Sequence, residues 1–244
     1  MSAAATPRLK QKVFGGCFNF SVPSPLRRGT EGEVLPIMFE NTLAPKTKQL
    51  LHRLDGKPWL KNFYLAGGTA LALHYGHRQS VDLDWFTPDP INVPVLLKKI
   101  STLAPTEALK QEKDTLEGIV AGVKISFMTY PYRLLHKPTA YGKLSIAAPL
   151  DIAIMKLGAI ADRNTKKDFI DLFVFLEREK ITLTNLFSKA EQKFAPVKYD
   201  RYHLVKSLVY FAEADTDAMP KMFIQIEWKK VKQFFTKQAQ NLDI

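Results

Sequence analysis

The sequence predicts an α/β protein: a small mixed β-sheet flanked by helices, followed by an α-helical C-terminal half. Three observations carry this. Residues 63–86 read as strand, glycine turn, helix and second strand. Residues 105–129 change to short runs of period two that break at Gly122. From Thr184 onward apolar residues recur at helical spacing, with breaks at Pro196 and Pro220. The chain has 244 residues, 46% hydrophobic and 24% charged, which suits one large or two small domains with a sizeable core.

Residues 1–37 differ from the rest. Their central part, Phe14-Gly-Gly-Cys-Phe-Asn-Phe-Ser-Val-Pro-Ser-Pro25, has turn residues throughout and no helix or strand period. We read them as a disordered arm or a mis-called N-terminal extension, with Met38 as the natural start. The α/β core then covers 38–148, and an α-helical C-terminal domain that contributes to the site covers 149–244.

Within the core, Asn41 or Thr42 caps a helix from about Leu43 to Leu54, ended by Asp55-Gly56. Phe63 to Ala66 is a short apolar, aromatic run that suits a buried strand. Gly67 and Gly68 let the backbone turn sharply and a ligand approach it closely. Thr69 caps the next helix, and Gly76 ends it. Val81 to Phe86 is a strand whose alternation puts Asp82 and Asp84 on one face and Val81, Leu83 and Trp85 on the other. A helix follows from about Val93 to Leu103. Thr115–Ala121 and Val123–Thr129 then form a hairpin that turns at Gly122. One further short strand lies around Lys143 to Ala147.

A helix N-terminus is a ready anion site. Two carboxylates aimed at one space repel each other unless a cation lies between them, and Mg²⁺ prefers carboxylates together with phosphate oxygens. The plainer reading is a helix cap beside a polar strand end. The two features in order, joined by one short helix, favour the site.

Gly-Gly-Thr, a helix, then Arg78-x-Ser80-x-Asp82-Leu-Asp84-x-Phe86 resembles the first motif of the DNA polymerase beta-type nucleotidyltransferase superfamily. More narrowly, it resembles the AbiEii/AbiGii-type nucleotidyltransferases, many of them toxins of bacterial toxin–antitoxin (abortive-infection) pairs. The superfamily often places a third carboxylate on the second strand of the hairpin. Here that strand reads Val123-Lys-Ile-Ser-Phe-Met128, and Ser126 is the counterpart of the missing acid.

The second informative stretch runs from Pro149 to Phe173. Asp151 suits the start of a helix, and Lys156 and Arg163 lie seven apart on one helical face. Asn164 or Thr165 restarts a helix on which Lys167, Asp168 and Asp171 cluster within one turn. Thr165-x-x-Asp168 also fits a capping box, and Lys167 with Asp171 a surface ion pair. The pattern resembles the family's later motifs. That implies Lys156 as the residue that neutralises phosphate charge, and Asp168 or Asp171 as site organiser or base. The catalytic set implied is Asp82, Asp84, Lys156, Asp168 and Asp171, with Asp82 and Asp84 on the metal. The nucleotide-binding set is Gly67, Gly68, Thr69, Arg78, Ser80, Lys156, Arg163 and Lys167.

Composition bounds the rest. The single cysteine, Cys17, excludes an internal disulfide and a cysteine-based zinc site and points to a reducing cytoplasm. No apolar run is long enough to span a bilayer. The net charge of +11 favours a polyanionic partner such as RNA or DNA, or a merely basic soluble surface. His74, His77, His136 and His203 have no metal spacing and read as structural or surface residues. Tyr199, Tyr202, Tyr210 and Phe211 read as core, and Lys229, Lys230, Lys232 and Lys237 as a basic C-terminal face.

The expected activity is Mg²⁺- (or Mn²⁺-) dependent transfer of an NMP from an NTP to an acceptor hydroxyl. The resemblance implies the tRNA 3′ end as acceptor and a separately encoded antitoxin as partner. The alternatives are a transferase of the same fold acting on a small molecule or protein, and a non-catalytic nucleotide-binding module.

Overall fold

The structure is a computed structural model and describes residues 26–28, 34–195 and 200–242. Strands β1 (Leu26–Arg28) and β2 (Val34–Pro36) form a separate antiparallel ladder. The rest of the expectation for residues 1–37, together with Pro196 and Tyr199, lies outside the described residues.

Helix α1 spans Pro45–Leu54, two residues later than the sequence suggested. Glu40–Thr42 form a 3₁₀ turn instead, and the Thr42 hydroxyl donates to the Phe39 carbonyl rather than capping α1. Pro45 starts the helix, where its fixed φ suits and its missing N–H costs nothing.

Strand β3 (Tyr64–Ala66) leads straight into α2 (Gly67–Tyr75) and then β4 (Leu83–Thr87). Ala70, Leu71, Ala72 and Leu73 of α2 are all fully buried. A helix apolar on every side has to be covered on every side. Helix α3 (Val93–Ser101) begins at Asn92, whose side chain accepts the Val95 N–H.

Strands β5 (Thr106–Glu112), β6 (Thr115–Val120) and β7 (Val123–Thr129) form a meander. The β6–β7 turn puts Ala121 and Gly122 both at positive φ, as a two-residue hairpin requires. After β8 (Thr139–Tyr141) and β9 (Leu144–Ile146) the sheet is complete, in the order β5-β6-β7-β4-β3-β9-β8. The β4–β7 and β3–β9 pairs are parallel and the others antiparallel, so the sheet is mixed.

The second half is helical: α4 (Pro149–Arg163), α5 (Lys166–Glu179), α6 (Leu183–Phe194), α7 (Arg201–Leu208), α8 (Ala212–Thr216) and α9 (Trp228–Ala239). Asn164 at φ 46° turns the chain, so α5 folds back on α4 after only two residues. Phe235 of α9 packs on Phe169 of α5, both fully buried, with ring centroids 5.4 Å apart. Asp151 is buried in the first turn of α4. It accepts the Leu135 and His136 N–H groups and pairs with Lys193, which pins the preceding loop.

Tyr202 and Tyr210 depart from the reading as core. They are 60% and 51% exposed: Tyr202 lies on the exposed side of α7, whose buried residues are Val205, Ser207 and Leu208, and Tyr210 lies beyond the end of that helix. Phe211 does pack, against Phe169 and Trp228. Among the described residues no helix is long and apolar enough to cross a membrane.

Candidate active site

The site lies where β3, β4 and β7 run side by side under the first turn of α2. Register aligns Ala66 with Asp84 and Asp84 with Ser126, which places these residues in one row across the sheet. Asp84 is half-buried, and its Oδ1 accepts the Ser126 hydroxyl at 2.7 Å. Asp82 stands two residues earlier, also half-buried. Neither carboxylate is ion-paired among the described residues.

The double glycine is explained by what lies on it. Gly67 has φ +67°, and a Cβ there would sit 2.5 Å from Asp84 Oδ2. A Cβ on Gly68 would sit 2.3 Å from Arg78 Nη2. The turn therefore admits two functional side chains against its backbone, as only glycine can. Thr69 does not cap α2. It is buried in the first turn, hydrogen-bonds the Asp82 carbonyl, and lies 2.8 Å from Ser80 Oγ. Thr69 and Ser80 thus fix the backbone that presents Asp82.

Behind this wall is a buried ion network. Asp171 accepts Arg78 Nε at 2.7 Å and Nη2 at 2.8 Å, Lys156 Nζ at 2.7 Å and His77 Nε2 at 2.8 Å. Asp168 accepts Lys156 Nζ at 2.6 Å, Arg163 Nε at 2.7 Å and Nη2 at 3.0 Å, and the Thr165 hydroxyl at 2.6 Å. Both carboxylates are fully buried. Burial alone would push their pKa values up. Arg78 and Lys156 beside Asp171, and Lys156 and Arg163 beside Asp168, hold both well below the usual carboxylate range. His77 is also shifted down, but by burial, which keeps its ring neutral against the pull of Asp171, with Arg78 and Lys156 adding to the effect. Its Nε2–H faces Asp171, and its Nδ1 is buried without a hydrogen-bond partner among the described residues.

The surface ion pair between Lys167 and Asp171 is therefore not formed. Asp171 faces inward and Lys167 outward. Nor is there a capping box, since the Thr165 hydroxyl donates to the Asp168 side chain instead of accepting a backbone N–H.

A cleft of about 320 Å³ opens over Asp82 and Asp84. Among the predicted residues it brings together Gly68, Arg78, Ser80, Asp82, Asp84, Lys156, Arg163 and Lys167. Gly67 and Thr69 do not line it, and Asp168 and Asp171 lie beneath its floor. Six cationic side chains line it against two carboxylates, so it stays electropositive even with the two buried aspartates counted. Two of the six, Lys124 and Lys221, were not picked out from the sequence as site residues. Lys124 was legible in principle, since it shares a strand face with Ser126. Lys221 and His77 carried no local signal.

The residues fit a single divalent cation. Asp82 and Asp84 line one cleft and neither is ion-paired among the described residues, and the remaining contacts would fall to phosphate oxygens and water. Among the described residues no group of three or more His, Cys, Asp or Glu could hold a metal ion by itself.

The family model for the nucleotidyl transferase AbiEii toxin, of Type IV toxin–antitoxin systems, matches residues 49–146, the segment that holds the glycine turn, both aspartates and Ser126. An uncharacterized Aquifex aeolicus protein, aq_aa25, is 37% identical over 203 residues, covering 81% of this chain and 96% of its own. The chain belongs to the AbiEii nucleotidyltransferase toxin family. Solved structures similar to it include JHP933 from Helicobacter pylori, with 19% identity, TM-score 0.47 and coverage of 81% and 92% of the two chains. Another is MenT4, a nucleotidyltransferase toxin from Mycobacterium tuberculosis, with 16% identity, TM-score 0.48 and coverage of 75% and 77%. As an AbiEii nucleotidyltransferase the chain has Ser126 bonded to Asp84 at the position where the resemblance leads one to look for a third acid.

Proposed function

We propose that this AbiEii-family enzyme transfers an NMP from an NTP to a hydroxyl of RNA, with the 3′ end of tRNA the foremost acceptor, and that it depends on Mg²⁺. The observation that carries the reading is the contrast between the two carboxylate pairs. Asp82 and Asp84 face an electropositive cleft unpaired, while every cation near Asp168 and Asp171 is already engaged.

Asp82 and Asp84 would hold the Mg²⁺. When bound there it supplies Lewis-acid polarisation at the α-phosphate and offsets developing charge. The Ser126 hydroxyl fixes the rotamer of Asp84 through Oδ1 and leaves Oδ2 available. Lys156 spends two of its three N–H donors on Asp168 and Asp171 and lines the cleft, so the third faces a phosphate oxygen. Arg163 binds Asp168 with one edge, keeps half its side chain exposed, and adds a second cation at the same wall. Lys124, Lys167 and Lys221 neutralise the outer phosphates and the acceptor backbone. Asp168 and Asp171 organise these cations. Carboxylates held so far below their usual range are poor proton acceptors, which disfavours the base role for them.

The exposed lysines around the cleft and the +11 net charge support a polyanionic acceptor. The family's Type IV toxin–antitoxin description supports a separately encoded antitoxin as partner. The test is transfer of label from each α-³²P-NTP into total bacterial RNA with Mg²⁺. We expect label in tRNA-sized RNA that disappears in Asp82→Ala and Asp84→Ala. Label in no RNA with any of the four nucleotides overturns the RNA reading.

A further inference from the structure

A second cavity, of about 360 Å³, meets the cationic cleft at Asp84, Lys156 and Arg163. Its character is different. Phe86, Met128, Tyr130, Met155 and Phe194 line it, and its volume falls in the usual range for small-molecule sites, roughly 300–1,000 Å³. Phe86 and Tyr130 meet edge to face at 5.9 Å and remain half-buried, so ring surface is open to the cavity.

Gly158 lies on this wall, in the middle of α4. A glycine inside a helix destabilises it relative to alanine. Elsewhere in this chain such a glycine is explained by close contact, as at Gly67 and Gly68. At Gly158 a Cβ would meet nothing within 4 Å. The helix therefore carries a destabilising residue that no packing requires, and its missing side chain leaves the cavity open. One turn on, at the mouth, is Asp162, which is exposed and has no hydrogen bond or ion pair among the described residues.

We propose that this cavity is the nucleobase subsite of the NTP, that Gly158 keeps it open, and that Asp162 selects bases with an exocyclic amine. The inference rests on the transfer reading above. An NTP bound at Asp84 needs a cationic space for its phosphates and an apolar one for its base on opposite sides of the α-phosphate, and the two cavities supply that pair. Aromatic faces stack any base. A carboxylate only accepts hydrogen bonds, so it favours the amino edge of C, A or G over the carbonyl edge of U.

The experiment is equilibrium dialysis of the full chain with each labelled NTP and with inorganic tripolyphosphate, both with Mg²⁺, alongside transfer assays. Gly158→Ala should raise Tm by about 2–4 °C. Gly158→Leu should keep a Tm at or above that of wild type, weaken NTP binding at least tenfold, and change tripolyphosphate binding less than twofold. Asp162→Asn should reduce the preference for amino-bearing bases over UTP at least fivefold. The inference is overturned if Gly158→Leu transfers label with unchanged KM and unchanged base preference, or if it loses tripolyphosphate as fully as NTP. It is also overturned if only the KM for the RNA acceptor rises, since the cavity would then hold the acceptor's last nucleoside. Each of these leaves the transfer reading standing. A wild-type chain that binds and transfers none of the four nucleotides overturns both.

Discussion

Arg78 grips Asp171 across 93 residues of sequence with two parallel hydrogen bonds, Nε to Oδ1 at 2.7 Å and Nη2 to Oδ2 at 2.8 Å. The arginine precedes β4 and the aspartate is on α5, so this pair joins the sheet half of the site to the helical half. Both side chains are buried, and loss of one partner leaves the other charged in a medium that solvates it poorly.

Asp171→Ala should therefore destabilise the fold by about 3–5 kcal/mol. For a chain of this size that is on the order of 10 °C in Tm. Arg78→Lys keeps the charge and loses the two-pronged geometry, so it should also lower Tm, by less. Thermal unfolding by circular dichroism measures both. A Tm within 2 °C of wild type for Asp171→Ala contradicts the network.

The same cluster sets the response to acid. His77 is held neutral in the fold while the unfolded chain's histidine protonates near pH 6.5, so the unfolded state binds more protons below that pH. Stability should fall as pH drops through about 6.5. Asp168 and Asp171, with folded values held low, contribute stability that is complete above the unfolded value near 3.9 and is lost as pH falls further. Tm should be flat from pH 8 to 7 and decline below 6.5. His77→Gln, which retains an N–H for Asp171, should make the decline between pH 6.5 and 5 shallower. Some slope should persist, because His74 is also buried and shifted down.

Gly67→Ala tests the close approach of Asp84. The new Cβ would enter the space of Asp84 Oδ2 and adopt a left-handed φ that costs an L-residue about 1–2 kcal/mol. We expect nucleotidyl transfer to fall at least a hundredfold with a Tm loss of only a few degrees. Transfer near the wild-type level shows that Asp84 does not need that position.

Ser126→Asp tests the missing acid. It would set a second carboxylate beside Asp84 in the same row of the sheet. At about 4 Å and an effective dielectric near 20 two like charges repel by about 4 kcal/mol, less where water reaches them. Without divalent cation the variant should melt several degrees lower. With Mn²⁺ it should recover and bind the ion more tightly than wild type. An unchanged Mn²⁺ affinity places Ser126 outside the metal's reach.

Much of this was legible because it is local. The glycine turn, the short helix and Asp82-x-Asp84 lie within 18 residues, and their alternation fixes which side chains share a face. The β6–β7 hairpin was readable from its turn at Gly122, and the restart of a helix at Asn164 or Thr165 from the local sequence. What was not legible depends on tertiary placement. Lys167 and Asp171 are helix neighbours, yet α5 buries one and exposes the other, so a pair plausible from spacing does not form. His77 and Arg78 meet Asp171 only because the two halves dock, and no sequence pattern spans that distance. Tyr202 lies on the exposed side of α7 and Tyr210 just beyond the helix end at Leu208, which the apolar spacing of this stretch does not reveal.

The most direct test of the account is Mn²⁺ binding followed by electron paramagnetic resonance, with each of the four NTPs present, for wild type and Asp84→Asn. The account predicts a nucleotide-dependent Mn²⁺ site in wild type that weakens at least tenfold in Asp84→Asn. That variant's Tm should be equal or higher, because removing one of two facing charges relieves repulsion. An Asp84→Asn protein that binds Mn²⁺ and nucleotide as tightly as wild type contradicts the division of labour between the free carboxylates and the buried pair.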